Sequence, residues 1–235
     1  MAFFLDGAMP FRAETARGYA QGIVQGHLQD YARRTGTAGA IAAPALRIEP
    51  RFRYNQAFKS AFAILPGTIM ILLVIVPAML AALGVVRERE IGSIVNLAVS
   101  PATVGEFLIG KQLPYLLVGF LSFLTLTALA MGLFGLEVKG SPAALLLGAL
   151  LCVYATTAFG LVVSTFVRSQ IAAIIATAVL CAMPAINFSG YLYPAATLEG
   201  AARLIGHGFP ALWFQNISLG VFAKGRAFAE FHLEY

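Results

Sequence analysis

The sequence predicts an all-α integral membrane helical bundle with four transmembrane helices. Three observations carry that expectation. Of 235 residues, 59% are hydrophobic and only 11% charged, against about 25% charged in a soluble globular chain, and a soluble fold of this length could not hide that much apolar surface. Twelve of the 27 charges fall in the first 59 residues, so a polar head precedes an apolar body. The body holds four runs free of Asp, Glu, Lys and Arg, at 60–86, 112–136, 140–167 and 169–198, of 27, 25, 28 and 30 residues. Each exceeds the ~20 residues that a helix needs to cross the hydrocarbon core, and a charge at the bilayer centre costs about 2.5–3.5 kcal/mol.

In chain order, the head comes first. Residues 13–34 lack proline and repeat apolar positions near helical spacing (Ala16, Tyr19, Ala20, Ile23, Val24, Leu28, Tyr31), which predicts a surface or packing helix ending near Gly36. From 38 to 57 the pattern is less regular. Pro44 and Pro50 flank Leu46, Arg47, Ile48 and Glu49, and one short strand is expected there. Only residues 2–5 are apolar before Asp6, too short for the core of a signal peptide.

The spans are placed at 63–86, 113–135, 142–166 and 170–191. Pro66 and Pro77 interrupt the first and Pro184 the last; neighbouring helices can satisfy the carbonyls so freed, which makes them kinks rather than breaks. A fifth stretch, 204–223, also lacks Asp, Glu, Lys and Arg. His207, Pro210, Gln215 and Asn216 interrupt it, and Trp213–Phe214 is an interface-type pair, so it is expected to be a re-entrant or interfacial segment. Residues 224–235 form a tail.

Basic residues give an orientation. Arg87, Arg89 and Lys111 follow the first span, Lys139 follows the second and Arg168 the third, which puts the first and third loops in the cytoplasm. The eight basic residues of the head then lie outside, where long domains translocate largely regardless of charge. The net charge of +5 lacks a basic stripe interleaved with aromatics, which argues against nucleic acid as a partner. Cys152 and Cys181 lie inside apolar runs and read as packing residues. His27, His207 and His232 are too scattered for a metal site.

The segment between the first two spans carries the functional signal. Arg87, Glu88, Arg89 and Glu90 form a charged cluster, followed by Gly92 and Ser93. Ile91, Ile94, Val95 and Ala98 then fall at helical spacing with Glu88, Ser93 and Asn96 opposite, as in a helix lying in the headgroup plane. Ser100 before Pro101 has the chemistry of a helix start, with Glu106 on the polar side of the helix that follows. The expectation is a helix–turn–helix elbow over 87–112, which would suit docking of a cytoplasmic protein.

These residues resemble a known family. The charged cluster, Gly92-Ser93, Pro101, Glu106, Gly110-Lys111 and Pro114-Tyr115 are similar to the first cytoplasmic loop of permease subunits of type-2 ATP-binding cassette exporters, and the likeness runs on to Phe188-Ser189-Gly190 and Pro194. The stretches 92–97 and 110–115 also resemble the permease half of a ribosome-associated ATPase fusion. Many members carry glutamate where this chain has Val95. The resemblance implies that the elbow couples to an ATPase, with Arg87, Glu88, Arg89, Glu90, Gly92, Ser93, Asn96, Pro101, Glu106 and Lys111 as coupling residues.

The resemblance also implies a multi-pass protein of the inner (plasma) membrane, an ATPase subunit or domain as partner, and a second permease half. A periplasmic adaptor protein and membrane lipid complete the expected partners. Family members have six spans, with an extracytoplasmic domain after the first; the chain would then hold spans two to five, and residues 1–59 would be a partial α/β extracytoplasmic domain.

No Gly-rich phosphate loop of the Walker type occurs, so ATP would be hydrolysed by the partner and no cofactor is expected on this chain. Glu88, Glu90 and Glu106 lack a neighbouring nucleophile that would make them acid–base catalysts; a solvated face with salt bridges is the simpler alternative to docking. Asn187-Phe188-Ser189 matches a glycosylation sequon at the edge of an apolar run, an accidental match. Polar residues in the spans serve helix packing by default, with Thr156, Ser164 and Asn187 as candidates for a substrate path. The spans carry no Asp, Glu or His, which argues against an intramembrane enzyme. A non-transporting membrane scaffold or receptor fragment is the alternative to an exporter permease. The uncharged spans favour an apolar or amphipathic cargo.

Overall fold

The computed structural model describes residues 4–6, 10–35, 51–53, 60–92, 103–192 and 195–231. The chain divides into two units, Met1–Ala63 and Ile64–Tyr235. In the first, helix α1 (Pro10–Thr35) accompanies two three-residue strands, β1 (Phe4–Asp6) and β2 (Arg51–Arg53), paired in parallel with Phe4 opposite Arg51. The strand expected around Leu46–Glu49 lies outside the described residues; β2 begins just past Pro50. Among the described residues, one helix and two three-residue strands do not support the partial α/β extracytoplasmic domain expected for residues 1–59.

Among the described residues, every regular element of the second unit is a helix. Four helices are long and apolar enough to cross a membrane: α2 (Ser60–Ile91), α3 (Val104–Phe134), α4 (Pro142–Phe166) and α5 (Gln170–Asn187). Local chemistry sets their ends. Ser141 caps α4 by accepting from the amide of Ala144, with Pro142 at the first helical position, and Ser169 caps α5 through Ala172. Gly135, at φ 64°, ends α3 in the left-handed conformation that glycine adopts without strain.

Two boundaries differ from expectation. Arg87–Ile91 do not begin a separate interfacial helix: they form the last turns of α2, because Arg-Glu-Arg-Glu-Ile contains only residues that tolerate a helix, and the helix stops at Gly92 (φ 79°). The following helix is not capped by Ser100. Thr103 caps it, accepting from the amide of Glu106 while the Glu106 carboxylate accepts from the Thr103 backbone N–H at 2.8 Å, a reciprocal capping box. From there α3 runs unbroken through Pro114, so the second arm of the expected elbow is the beginning of a membrane span.

More than half of the apolar stretch of α2 and half of that of α4 are buried, against about a fifth for α3 and α5. The interior therefore lies around α2 and α4. Glycines allow the close approach: Gly160 of α4 lies against the backbone of Ala78, Gly119 of α3 against Pro77 and Val153, and Gly84 of α2 under the ring of Tyr115. Ala82 and Val86 meet Ala173 of α5. Outward-facing Ile171, Ile175, Val179 and Met183 form an apolar stripe along α5, a surface suited to lipid rather than water.

Residues 195–231 add two short helices, α6 (Gly200–Gly208) and α7 (Pro210–Leu219), and a π turn at Gly220–Lys224. The segment leaves α5 near Tyr191, whose ring covers Gly67. At its turn the Phe209 ring meets Phe159, past the midpoint of α4, edge to face at 5.6 Å. α7 then runs back, Ile217 packing on Gly148 and Phe214 on Phe123, until Val221 and Arg226 accept hydrogen bonds from the amides of Gly140 and Ser141. The pair thus enters and leaves at the same end of the bundle. α7 is buried along most of its length rather than laid on the surface.

Candidate functional site

At the opposite end, the last turn of α2 makes three consecutive links to three different helices. Glu88 forms an ion pair with Lys111 of α3. Arg89 donates from Nη1 to the carbonyls of Ser164 and Val167, both at 3.2 Å, at the C-terminal end of α4. Glu90 accepts from the backbone N–H of Gln170 at 2.9 Å, and from the Gln170 side-chain amide, at the first turn of α5. Such a fan is possible because α2 is the helix on which the other three pack, so successive side chains, about 100° apart around its axis, point to different neighbours. Beside it, buried Gln112 donates to the carbonyl of Tyr154 at 2.7 Å and to Thr157 Oγ1 at 3.0 Å, fastening α3 to α4.

The clamp gathers four of the ten residues expected to couple: Glu88, Arg89, Glu90 and Lys111. Arg87 is exposed on the same turn, and Gly92 ends it. Glu106 is exposed and engaged in the cap of α3. Ser93, Asn96 and Pro101 lie outside the described residues. Arg168, which the sequence singled out only for orientation, is exposed in the α4–α5 turn beside the clamp.

Thr156, Ser164 and Asn187 are not brought together. Thr156 and Ser164 are buried on α4 and donate to carbonyls of their own helix, Val153 at 3.1 Å and Leu161 at 2.6 Å. Asn187, at the far end of α5, donates to the carbonyl of Met183. Open hydrogen-bonding capacity lies elsewhere: Thr127 Oγ1, Thr177 Oγ1, Gln215 Oε1 and Ser218 Oγ are buried and make no hydrogen bond among the described residues. Gln215 and Ser218 are three residues apart on α7, hence on one face of that helix. The sequence signal was a polar pair at helical spacing inside an otherwise apolar segment. Among the described residues, no group of three or more His, Cys, Asp or Glu side chains could hold a metal ion.

A bundle of four spanning helices, a buried helical pair entering from one end and a charged clamp closing the other define a multi-pass membrane protein. The profile of the ABC-2 family transporter proteins matches residues 2–234, and the chain belongs to that family. It is 28% identical over 220 residues to the probable multidrug ABC transporter permease YbhS of Escherichia coli (strain K12), covering 94% of this chain and 58% of that protein. The inner membrane transport permease YhhJ of the same strain is 26% identical over 232 residues (95% and 59%), and the probable multidrug ABC transporter permease YbhR 27% over 220 residues (93% and 54%). The chain therefore spans somewhat more than half the length of these relatives. No solved structure matches it significantly.

Proposed function

We propose that the chain is the permease component of an ATP-driven exporter of the inner membrane, forming part of the transmembrane pathway and docking a cassette ATPase through residues 87–112. The observation that carries this reading is the clamp: in a chain that belongs to a transporter family along almost its whole length, one end of α2 grips the ends of the other three spans. ATP is hydrolysed by the partner, and a second permease half completes the pathway. The clamp end faces the cytoplasm, and a periplasmic adaptor would engage the permease from the other side. Relatives named as multidrug permeases, together with spans free of charge, support an apolar or amphipathic cargo moving along lipid-facing helices.

The test is co-expression with the cassette ATPase and purification in detergent. Wild type is expected to retain the ATPase, and Arg87→Glu, on the exposed side of the clamp, to reduce its recovery. Glu88→Arg or Arg89→Glu is expected to leave insertion in place while cutting the ATP-driven transport of a fluorescent amphipathic dye. An ATPase that never copurifies, with a chain that inserts normally, sinks the reading and leaves a membrane scaffold in its place.

A further inference from the structure

The clamp contains an arrangement of charge that packing alone does not require. α4 ends at Phe166 and α5 begins at Gln170, so the turn between them exposes the carbonyl end of one helix beside the amide end of the next. The first is electronegative, the second electropositive. Adjacent residues of α2 meet them with matching charge: the Arg89 guanidinium on the carbonyls of Ser164 and Val167, the Glu90 carboxylate on the amide of Gln170. Val167 supplies no side-chain cap of its own to α4, so Arg89 does that work from another helix.

We propose that Arg89 and Glu90 are positioning residues that latch the α4–α5 turn to the end of α2, so that movement of that end is delivered to α4 and α5 as a pair. The inference rests on the exporter reading for the source of that movement, but the latch itself does not. Beyond the turn the path is continuous. α4 carries Phe159 and Gly148, the seats of Phe209 and Ile217, so a displaced α4 moves α7 and with it Gln215 and Ser218. Glu90 is exposed and Arg89 half-buried. The two charge-assisted links thus sit at the rim of the bundle, where water can replace either partner.

Hydrogen exchange on the full-length permease in detergent, alone and with its ATPase, tests both parts. Without nucleotide, Glu90→Ala is expected to speed exchange at the Gln170 amide by about tenfold or more, since that N–H donates to a carboxylate. Arg89→Gln is expected to loosen residues 166–169, and Arg89→Lys, which keeps the charge, to loosen them less. With the ATPase bound and trapped by ATP and vanadate, wild type is expected to change protection both in 87–92 and in 166–172. In the double variant Arg89→Gln/Glu90→Ala, the complexes that do form keep the change confined to 87–92.

Unchanged exchange at 166–172 in both nucleotide-free variants overturns the latch. So does a nucleotide response that reaches 166–172 undiminished in the double variant. If wild type binds no ATPase, the exporter reading falls, whereas faster nucleotide-free exchange in the variants still supports the latch.

Discussion

A methyl group on Gly160 would lie 2.9 Å from the carbonyl carbon of Ala78 and 3.0 Å from its Cα. Those are backbone atoms of another buried helix and cannot swing aside, so α2 and α4 would have to separate. Gly160→Ala is expected to cost about 1–3 kcal/mol, read as a lower melting temperature of the detergent-solubilised protein. Gly132→Ala, in α3 with nothing within 4 Å of the added carbon, is the control and should melt no lower than wild type. Equal melting of the two variants would contradict the packing described. Glycine inside an apolar span is a sign of close helix contact, and Gly119, Gly148 and Gly160 are such contacts. Their partners were not legible, since a single sequence does not state which helix faces which. The cap of α3 was legible but read at the wrong place: Ser100-Pro101 is a strong local start signal, yet Thr103-Val104-Gly105-Glu106 carries the full capping-box pattern. Thr103→Ala is expected to cost about 1 kcal/mol and to speed amide exchange in the first turn of α3 several-fold; exchange as slow as in wild type would show that the box contributes nothing.

Among the elements, the four spans were readable because apolar runs of 25 or more residues without a single charge are rare outside a membrane. The elbow was harder to read. The helix expected from the apolar spacing of Ile91 to Ala98 lies, beyond Gly92, outside the described residues; what the structure moves is its start, because nothing in Arg87–Ile91 tells a span to end before Gly92. α7 poses a different problem, since its isolated polar residues suggest a surface while the helix is buried. Gln215 Oε1 and Ser218 Oγ lose water without gaining a partner among the described residues, which destabilises the helix by the desolvation of each group. Gln215→Met keeps the volume and removes the unpaired oxygen, so it is expected to hold or raise the melting temperature. A drop of several degrees would mean that Gln215 has a stabilising partner. Should the variant melt higher yet transport the dye more slowly, the polar pair is retained for cargo rather than for folding.

For the molecule as a whole, the sequence could count helices but not arrange them. All four spans are strongly apolar, so composition does not reveal that α2 and α4 form the interior while α3 and α5 keep most of their surface outside. The arrangement also changes the orientation argument. Counted along the loops, four basic residues stand against Lys139 alone; once residues 200–226 enter and return at the Gly140 end, Arg203, Lys224 and Arg226 join Lys139 there. Four against four is no bias, and two of the first four, Arg89 and Lys111, are occupied in the clamp. Loop charge alone then does not set the orientation, and the cytoplasmic position of the clamp depends on the docking role proposed for it. A direct measurement separates the two. Native Cys152 and Cys181 are buried, so an impermeant maleimide should read new surface cysteines without removing them. With the clamp in the cytoplasm, Arg168→Cys labels in inside-out vesicles and Lys139→Cys in right-side-out ones. The reverse pattern would place the clamp on the face that a cytoplasmic ATPase cannot reach. Docking through residues 87–112 would then fail, whereas the latch between α2 and the α4–α5 turn, which depends only on contacts within the bundle, would stand.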